Sequence, residues 1–329
     1  MVNLSFKTIN YYGNIRAMAK LMSKKTKEIV QTTAVLVIIA LIVIFYIIYP
    51  LIAVPKMTQR PDSDRFEDPE FTLENDASFF IDSGFSPDTF TVVTDDNIRL
   101  AAAYFSPDSN VFDIPRATAL LIHNVGLDRT SMMPYIQPLL DSGIGVVIYD
   151  QRASGLSGGQ YQTPGIFEAE DVNQAIINLK YHDRVFQPLI AVGFGIGADA
   201  ALLASNEESR LDRIIAVDPY LTPNRWLKLR KEERGILTIP FYKMVYYWWY
   251  KKITGFPYDR HGVDDIKPVL ARTLLIMGED KLGDEEIGRL QEIMGDLLTT
   301  QIKPDDSVML RELIISNICK AAENDIGAE

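Results

Sequence analysis

Leu189–Ser205 reads LIAVGFGIGADAALLAS, and its interpretation decides the fold. Leu189 to Val192 is a short apolar run of the kind a buried strand requires. A glycine-dense turn follows, Gly193-Phe194-Gly195-Ile196-Gly197, and beyond it alanines and leucines favour a helix. A sharp strand-to-helix turn presents the residue at its apex. Here that residue is Gly195, which has no side chain.

Outward from this unit the chain alternates. Ala119–His123, Gly145–Tyr149, Ile214–Val217 and Thr273–Met277 are further apolar runs. Helical patterns lie between them at Ser131–Asp141 and Glu168–Tyr181, and after them at 284–297 and 306–322. Phe90–Thr94 and Arg99–Phe105 flank Asp95-Asp96-Asn97, a hairpin signal. Continuous Val/Ile/Leu strands alternating with helices predict an α/β fold: a mostly parallel sheet covered on both faces. Residues 222–268 break the alternation and read as a helical cap insert. The insert holds Phe241-Tyr242-Lys243-Met244-Val245-Tyr246-Tyr247-Trp248-Trp249-Tyr250-Lys251-Lys252. We read these rings as packing the cap onto the core. The other reading rests them, with their lysines, on lipid headgroups.

Ile29–Pro55 carries no charged residue. About 20 apolar residues span a bilayer core, so 29–54 is expected to be one transmembrane helix in contact with the lipid bilayer. The charged leader and the apolar run are both too long for a cleaved signal peptide. Residues 1–28 carry a net +5 and read as a cytosolic tail, leaving −16 on the remaining chain. The positive-inside rule then places the C-terminal domain outside the cytosol, in a single-pass cell membrane protein. Residues 55–78 are polar, acidic and Pro-containing, and read as a linker to a domain over 79–329. Asp62, Asp64, Glu67 and Asp68 lack the glycine and terminal glutamate of a calcium loop. The acidic body argues against nucleic acid as a partner. Cys319 is the sole cysteine, which rules out an internal disulfide, a Cys-rich zinc site or a CxxC redox pair. No metal or cofactor is expected.

Three stretches bear on function together. A strand ends in His123-Asn124 and runs on through Val125-Gly126-Leu127-Asp128-Arg129-Thr130-Ser131-Met132. The next ends in Asp150-Gln151-Arg152-Ala153-Ser154-Gly155-Leu156-Ser157-Gly158-Gly159, and Glu168-Ala169-Glu170-Asp171-Val172 opens a helix. With the Gly195 turn, these resemble the α/β-hydrolase superfamily, in its membrane-anchored and serine-aminopeptidase-like branches, over roughly residues 88–320. The resemblance implies an α/β-hydrolase fold with a nucleophile at the turn, an acid after a late strand and a histidine near the C-terminus. This chain departs at each point. Gly195 stands at the nucleophile position. The acid position falls at Asp280, beside Glu279, with Lys281 where the acid is usual. The histidines are His123, His182 and His261, and Gln301–Ser307 holds none. Asn124 replaces the glycine of His-Gly and crowds the oxyanion-type loop, whose second member is Ile196.

The leading expectation is a non-catalytic pseudohydrolase. It would bind a small molecule, a lipid or a protein in the pocket above Gly195. A second reading is an esterase- or peptidase-type serine hydrolase using relocated Ser131, Ser154 or Ser157. A third takes Gly193-x-Gly195-x-x-Ala198, with Asp218 at the next strand's end, as a dinucleotide-binding fingerprint.

Overall fold

The structure is a computed structural model that describes residues 23–58, 80–205, 211–255, 266, 271–279 and 285–326. The chain forms two compact units. One is Met1–Val54 with Thr238–Trp249, and the other is Pro55–Leu237 with Tyr250–Glu329.

The larger unit is built on one eight-stranded sheet. Its strands are β1 (Asp88–Val93), β2 (Arg99–Phe105), β3 (Ala117–Ile122), β4 (Ile144–Tyr149), β5 (Leu189–Phe194), β6 (Arg213–Val217), β7 (Arg272–Met277) and β8 (Leu298–Ile302). Their order is β1-β2-β4-β3-β5-β6-β7-β8. The β1–β2 and β2–β4 pairs are antiparallel and the others parallel. β3 and β4 are buried at every position, as strands covered on both faces must be. β8, LTTQI, was not expected from sequence. Its polar Thr-Thr-Gln centre carries no apolar run, and it lies at the sheet edge with largely exposed side chains.

Two helices pack with one face of the sheet. They are α3 (Met133–Asp141) and α9 (Ser307–Ile326), which contribute Ile136, Leu139, Ile314 and Ile318 to a core shared with Leu121, Val146, Ile148 and Val192. Cys319 is half-buried against this core. α4 (Ile166–Tyr181) and α5 (Ile196–Ala204) pack on each other, with α5 also against β5 and β6. α8 (Glu285–Met294) precedes β8.

In the insert, α6 (Pro223–Glu233) starts at Thr222, whose Oγ1 accepts the Arg225 amide at 3.3 Å. Trp226 on α6 is 1% exposed and lies 5.6 Å from the Tyr250 ring. The Tyr250 hydroxyl donates to Gln162 O at 3.0 Å. Trp226 and Tyr250 are thus packing material within the larger unit. Residues 55–58, in the stretch expected as linker, are helical. Met57 O accepts Arg230 Nε at 3.2 Å and Thr58 O accepts the Gln162 amide at 2.8 Å. The remaining linker, with its four acidic residues, lies outside the described residues.

The smaller unit holds α1 (Lys24–Val43), a π-helical turn (Ile44–Ile48) and the start of α2 (Tyr49–Thr58). Ser23 caps α1, its Oγ accepting the Thr26 amide. The continuous helical run Lys24–Thr58 is long and apolar enough to cross a membrane by length and composition. The unit also contains the first residues of α7 (Tyr242–Thr254).

A buried ion pair ties three segments of the larger unit. Arg152, after β4, grips Asp171 of α4 through Nε and Nη2 at 2.7 and 2.6 Å, and reaches Asp96 of the β1–β2 hairpin at 3.0 Å. Burial pushes the Asp171 carboxyl up to about 6, against the pull of the guanidinium. Removing one member of such a pair strands the other charge in a dry site. Arg152→Met is therefore expected to cost about 3–5 kcal/mol, read as a lowered urea midpoint of the solubilised chain.

Candidate active site

The residues that the sequence singled out lie at or after the carboxyl ends of β3, β4, β5, β6 and β7. Gly195 caps α5 at φ +52° and ψ −113°, a conformation costly for any residue with a Cβ. Its amide donates to Val217 O at the end of β6, at 2.9 Å. Gly193 and Gly197 serve packing. A Cβ on Gly193 would overlap the Gly197 carbonyl, and one on Gly197 would lie 2.6 Å from Ile122 O. Strand β5 and helix α5 thus touch backbone to backbone, which explains the glycine density without a bound phosphate.

The space beside Gly195 is filled. A Cβ there would overlap the Asn124 carboxamide. Asn124 Oδ1 accepts the amides of Val125 at 2.8 Å and Ile196 at 3.2 Å. The Tyr220 hydroxyl stands 3.5 Å from the same oxygen. In an esterolytic elbow, the amide after the nucleophile and one from the loop after the third strand stabilise the oxyanion. Both amides are present here, and a side-chain oxygen of the protein occupies them. The sequence points to Asn124 and Ile196 for this loop and does not mark Val125, whose amide also meets the Asn124 oxygen. No side-chain signal marks a backbone amide.

His123 is fully buried, and both ring nitrogens are engaged. Nε2 accepts the Gln151 amide at 3.0 Å, so the neutral ring carries its proton on Nδ1 and donates to Asn124 O at 2.8 Å. Desolvation holds its pKa below the usual histidine value, against the pull of Asp150. The ring positions the backbone before Asn124 and has no lone pair left to take a proton. His182 caps α4 in an exposed position, and His261 lies outside the described residues.

Where the resemblance leads one to seek the base, after β8, stands Lys303. Its amide donates to Met277 O at 2.8 Å and its Nζ forms an ion pair with Asp218, at the end of β6. Sequence reading passed over Lys303 because it sought an imidazole. The pairing also occupies the acid that the dinucleotide reading required for ribose. Glu279 is exposed after β7. Asp280 and Lys281, at the expected acid position, lie outside the described residues.

The three candidate serines are structural. Ser157 Oγ donates to Asp150 O and accepts the Ala101 amide, Ser154 Oγ accepts Gln162 Nε2 at 2.7 Å, and Ser131 Oγ donates to Asp128 O. None is hydrogen-bonded to a lysine or histidine in these contacts. Asp150 holds its own loop, accepting the amides of Arg129 and Leu156 at 2.7 Å each. Gly155, at φ +48°, passes so close to Asp150 that a Cβ would overlap its carboxylate. Asp199 of α5 accepts the amides of Tyr220 and Leu221 at 3.0 and 2.8 Å, tying down the loop after β6. Burial raises its pKa to about 7. Among the described residues, no group of three or more His, Cys, Asp or Glu could hold a metal ion.

With this geometry in view, solved structures identify the architecture. An esterase of Pyrococcus furiosus superposes with a TM-score of 0.56 at 20% identity, covering 74% of this chain and 93% of its own. The α/β-hydrolase GrgF from Penicillium gives 0.53 at 17% identity, covering 72% and 98%. An esterase from Exiguobacterium antarcticum gives 0.51 at 13%, covering 72% and 100%. The larger unit has the α/β-hydrolase fold. No family profile matches the chain. The uncharacterised protein YqkD of Bacillus subtilis is 34% identical over 87 residues, which span 26% of this chain and only 28% of that protein.

Two outcomes test the site. Gly195→Ala is expected to destabilise the fold by about 2 kcal/mol or more, through left-handed strain and overlap with Asn124. Part of that loss should vanish in Asn124→Gly/Gly195→Ala, so a double-mutant cycle from urea midpoints should give a nonzero coupling energy. The second concerns pH. The depressed folded-state pKa of His123 means the unfolded chain binds the proton more readily, so this contribution is complete above about pH 6.5 and is lost as pH falls towards the folded value. Subtracting the stability–pH curve of His123→Gln from that of the parent should isolate this acid-side loss.

Proposed function

We propose that the chain is a single-pass membrane protein whose extracytoplasmic α/β-hydrolase-fold domain binds or scaffolds and performs no hydrolysis. The observation that carries this reading is the Asn124 oxygen seated on the Val125 and Ile196 amides beside a side-chain-free Gly195. Acyl transfer needs an oxygen or sulfur nucleophile and an empty oxyanion site. The ordinary structural bonds of Ser131, Ser154 and Ser157 weigh against relocated catalysis, and the Lys303–Asp218 pair stands in the region where an acid–base couple would act. The helical run Lys24–Thr58 supports the anchor, and the lysines and arginine before it support a cytosolic N-terminus. Its ligand would be a small molecule, a lipid or a protein. The full chain in nanodiscs should neither turn over short acyl esters nor be labelled by a fluorophosphonate probe above a heat-killed control. Labelling of any serine would replace this reading with a hydrolytic one.

A further inference from the structure

The insert helix α7 has two unlike faces. Tyr242, Val245, Tyr246 and Trp249 follow one another at helical spacing and are buried or half-buried. This face meets the anchor helix within the smaller unit. The Trp249 indole donates to Tyr46 O at 3.1 Å, and Tyr246 is hydrogen-bonded to Tyr49. The Trp249 bond has a local cause. In a regular α-helix Tyr46 O would take the amide of residue 50, but Pro50 has none to give, and the run passes through a π turn here. An indole from elsewhere in the chain supplies a donor.

The opposite face is apolar and open. Met244 and Trp248, spaced i, i+4 on the helix, are 66% and 54% exposed, and Phe241, in the turn that leads into it, is 77% exposed. Lys243 is exposed beside them, and Lys251 and Lys252 follow in the same helix. Length fixes the depth of this stripe. About 20 residues cross a hydrocarbon core, so a span beginning after Glu28 at Ile29 ends near Ile48. Ile44, Phe45, Ile47 and Ile48 are still exposed and apolar at that end. Tyr46 and Tyr49 therefore fall at the headgroup boundary, and α7 is bonded to them there. Aromatic rings with flanking lysines suit this layer, the rings at the acyl boundary and the ammonium groups reaching to phosphates.

We propose that the Phe241–Met244–Trp248 stripe is a second membrane contact, seated at the headgroup–acyl boundary of the leaflet where the span ends. This rests on the reading of Lys24–Thr58 as a membrane anchor. The occupant is phospholipid, because the stripe is exposed and apolar on a helix bonded to the anchor at Tyr46 and Tyr49, and the lysines of that helix complement lipid phosphate. The anchor then fixes position across the bilayer, and α7 adds a laterally placed foot.

The test uses the full chain in vesicles of phosphatidylcholine and phosphatidylglycerol, in a Cys319→Ser background. Nitroxide labels are placed at Met244→Cys, at Val37→Cys within the anchor, and at Tyr181→Cys, an exposed site on the larger unit. Power-saturation accessibility to oxygen, which partitions into acyl chains, is compared with that to a water-soluble nickel chelate. The oxygen-to-nickel ratio at 244 should exceed that at 181 several-fold and fall below that at 37. A label at Trp248→Cys should behave like the one at 244. If 37 reads deep while 244 matches 181, the stripe contact is overturned and the anchor stands. If 37 itself matches 181, the anchor reading fails and takes this proposal with it. Shielding of 244 from both reagents with dipolar broadening would mean that a second copy covers the stripe, which also overturns the proposal.

Discussion

The side-chain oxygen of Asn124 accepting two backbone amides organises the centre of this molecule. An α/β-hydrolase elbow aims amides into a common space, and buried donors must be satisfied. An enzyme leaves that obligation to substrate or water. Here Asn124 meets it internally, and neighbouring features accommodate the choice. Gly195 has no Cβ to collide with the carboxamide. The His123 ring, locked between Gln151 N and Asn124 O, holds the backbone that delivers it. The Tyr220 hydroxyl closes in from the next loop, itself held by Asp199. The result is a polar cluster in which the Val125 and Ile196 amides are met by a side chain of the protein itself.

Much of the fold was legible because its central strands are buried on both faces and so read as unbroken apolar runs. β3, β4, β5, β6 and β7 were each visible in this way. β8 was not, since an edge strand with largely exposed side chains can be written in threonine and glutamine. That Gly195 at the turn's apex offers no side chain is plain in the sequence, as is Asn124 where the resemblance implies a glycine. What Asn124 does with its oxygen was beyond reach of sequence, because a rotamer is set by partners 72 residues away in the chain. Lys303 escaped notice for a related reason. Its significance comes from Asp218, 85 residues earlier, brought close only by the parallel register of the sheet.

The rings of the aromatic insert fall into groups with different surroundings. Trp226 and Tyr250 are packing material within the larger unit. Tyr246 and Trp249 engage the apolar N-terminal helix in the smaller one. Phe241, Met244 and Trp248 are largely exposed, Trp248 with its ring edge-on to that of Trp249. Density of rings alone could not separate these groups, but the helical repeat of α7 does.

The unusual backbone at Gly195 has an evolutionary consequence. A serine placed at 195 would overlap the Asn124 carboxamide, so that substitution alone carries strain. Positions 124 and 195 are therefore coupled in sequence drift: a side chain can enter at 195 only once the Asn124 carboxamide gives way.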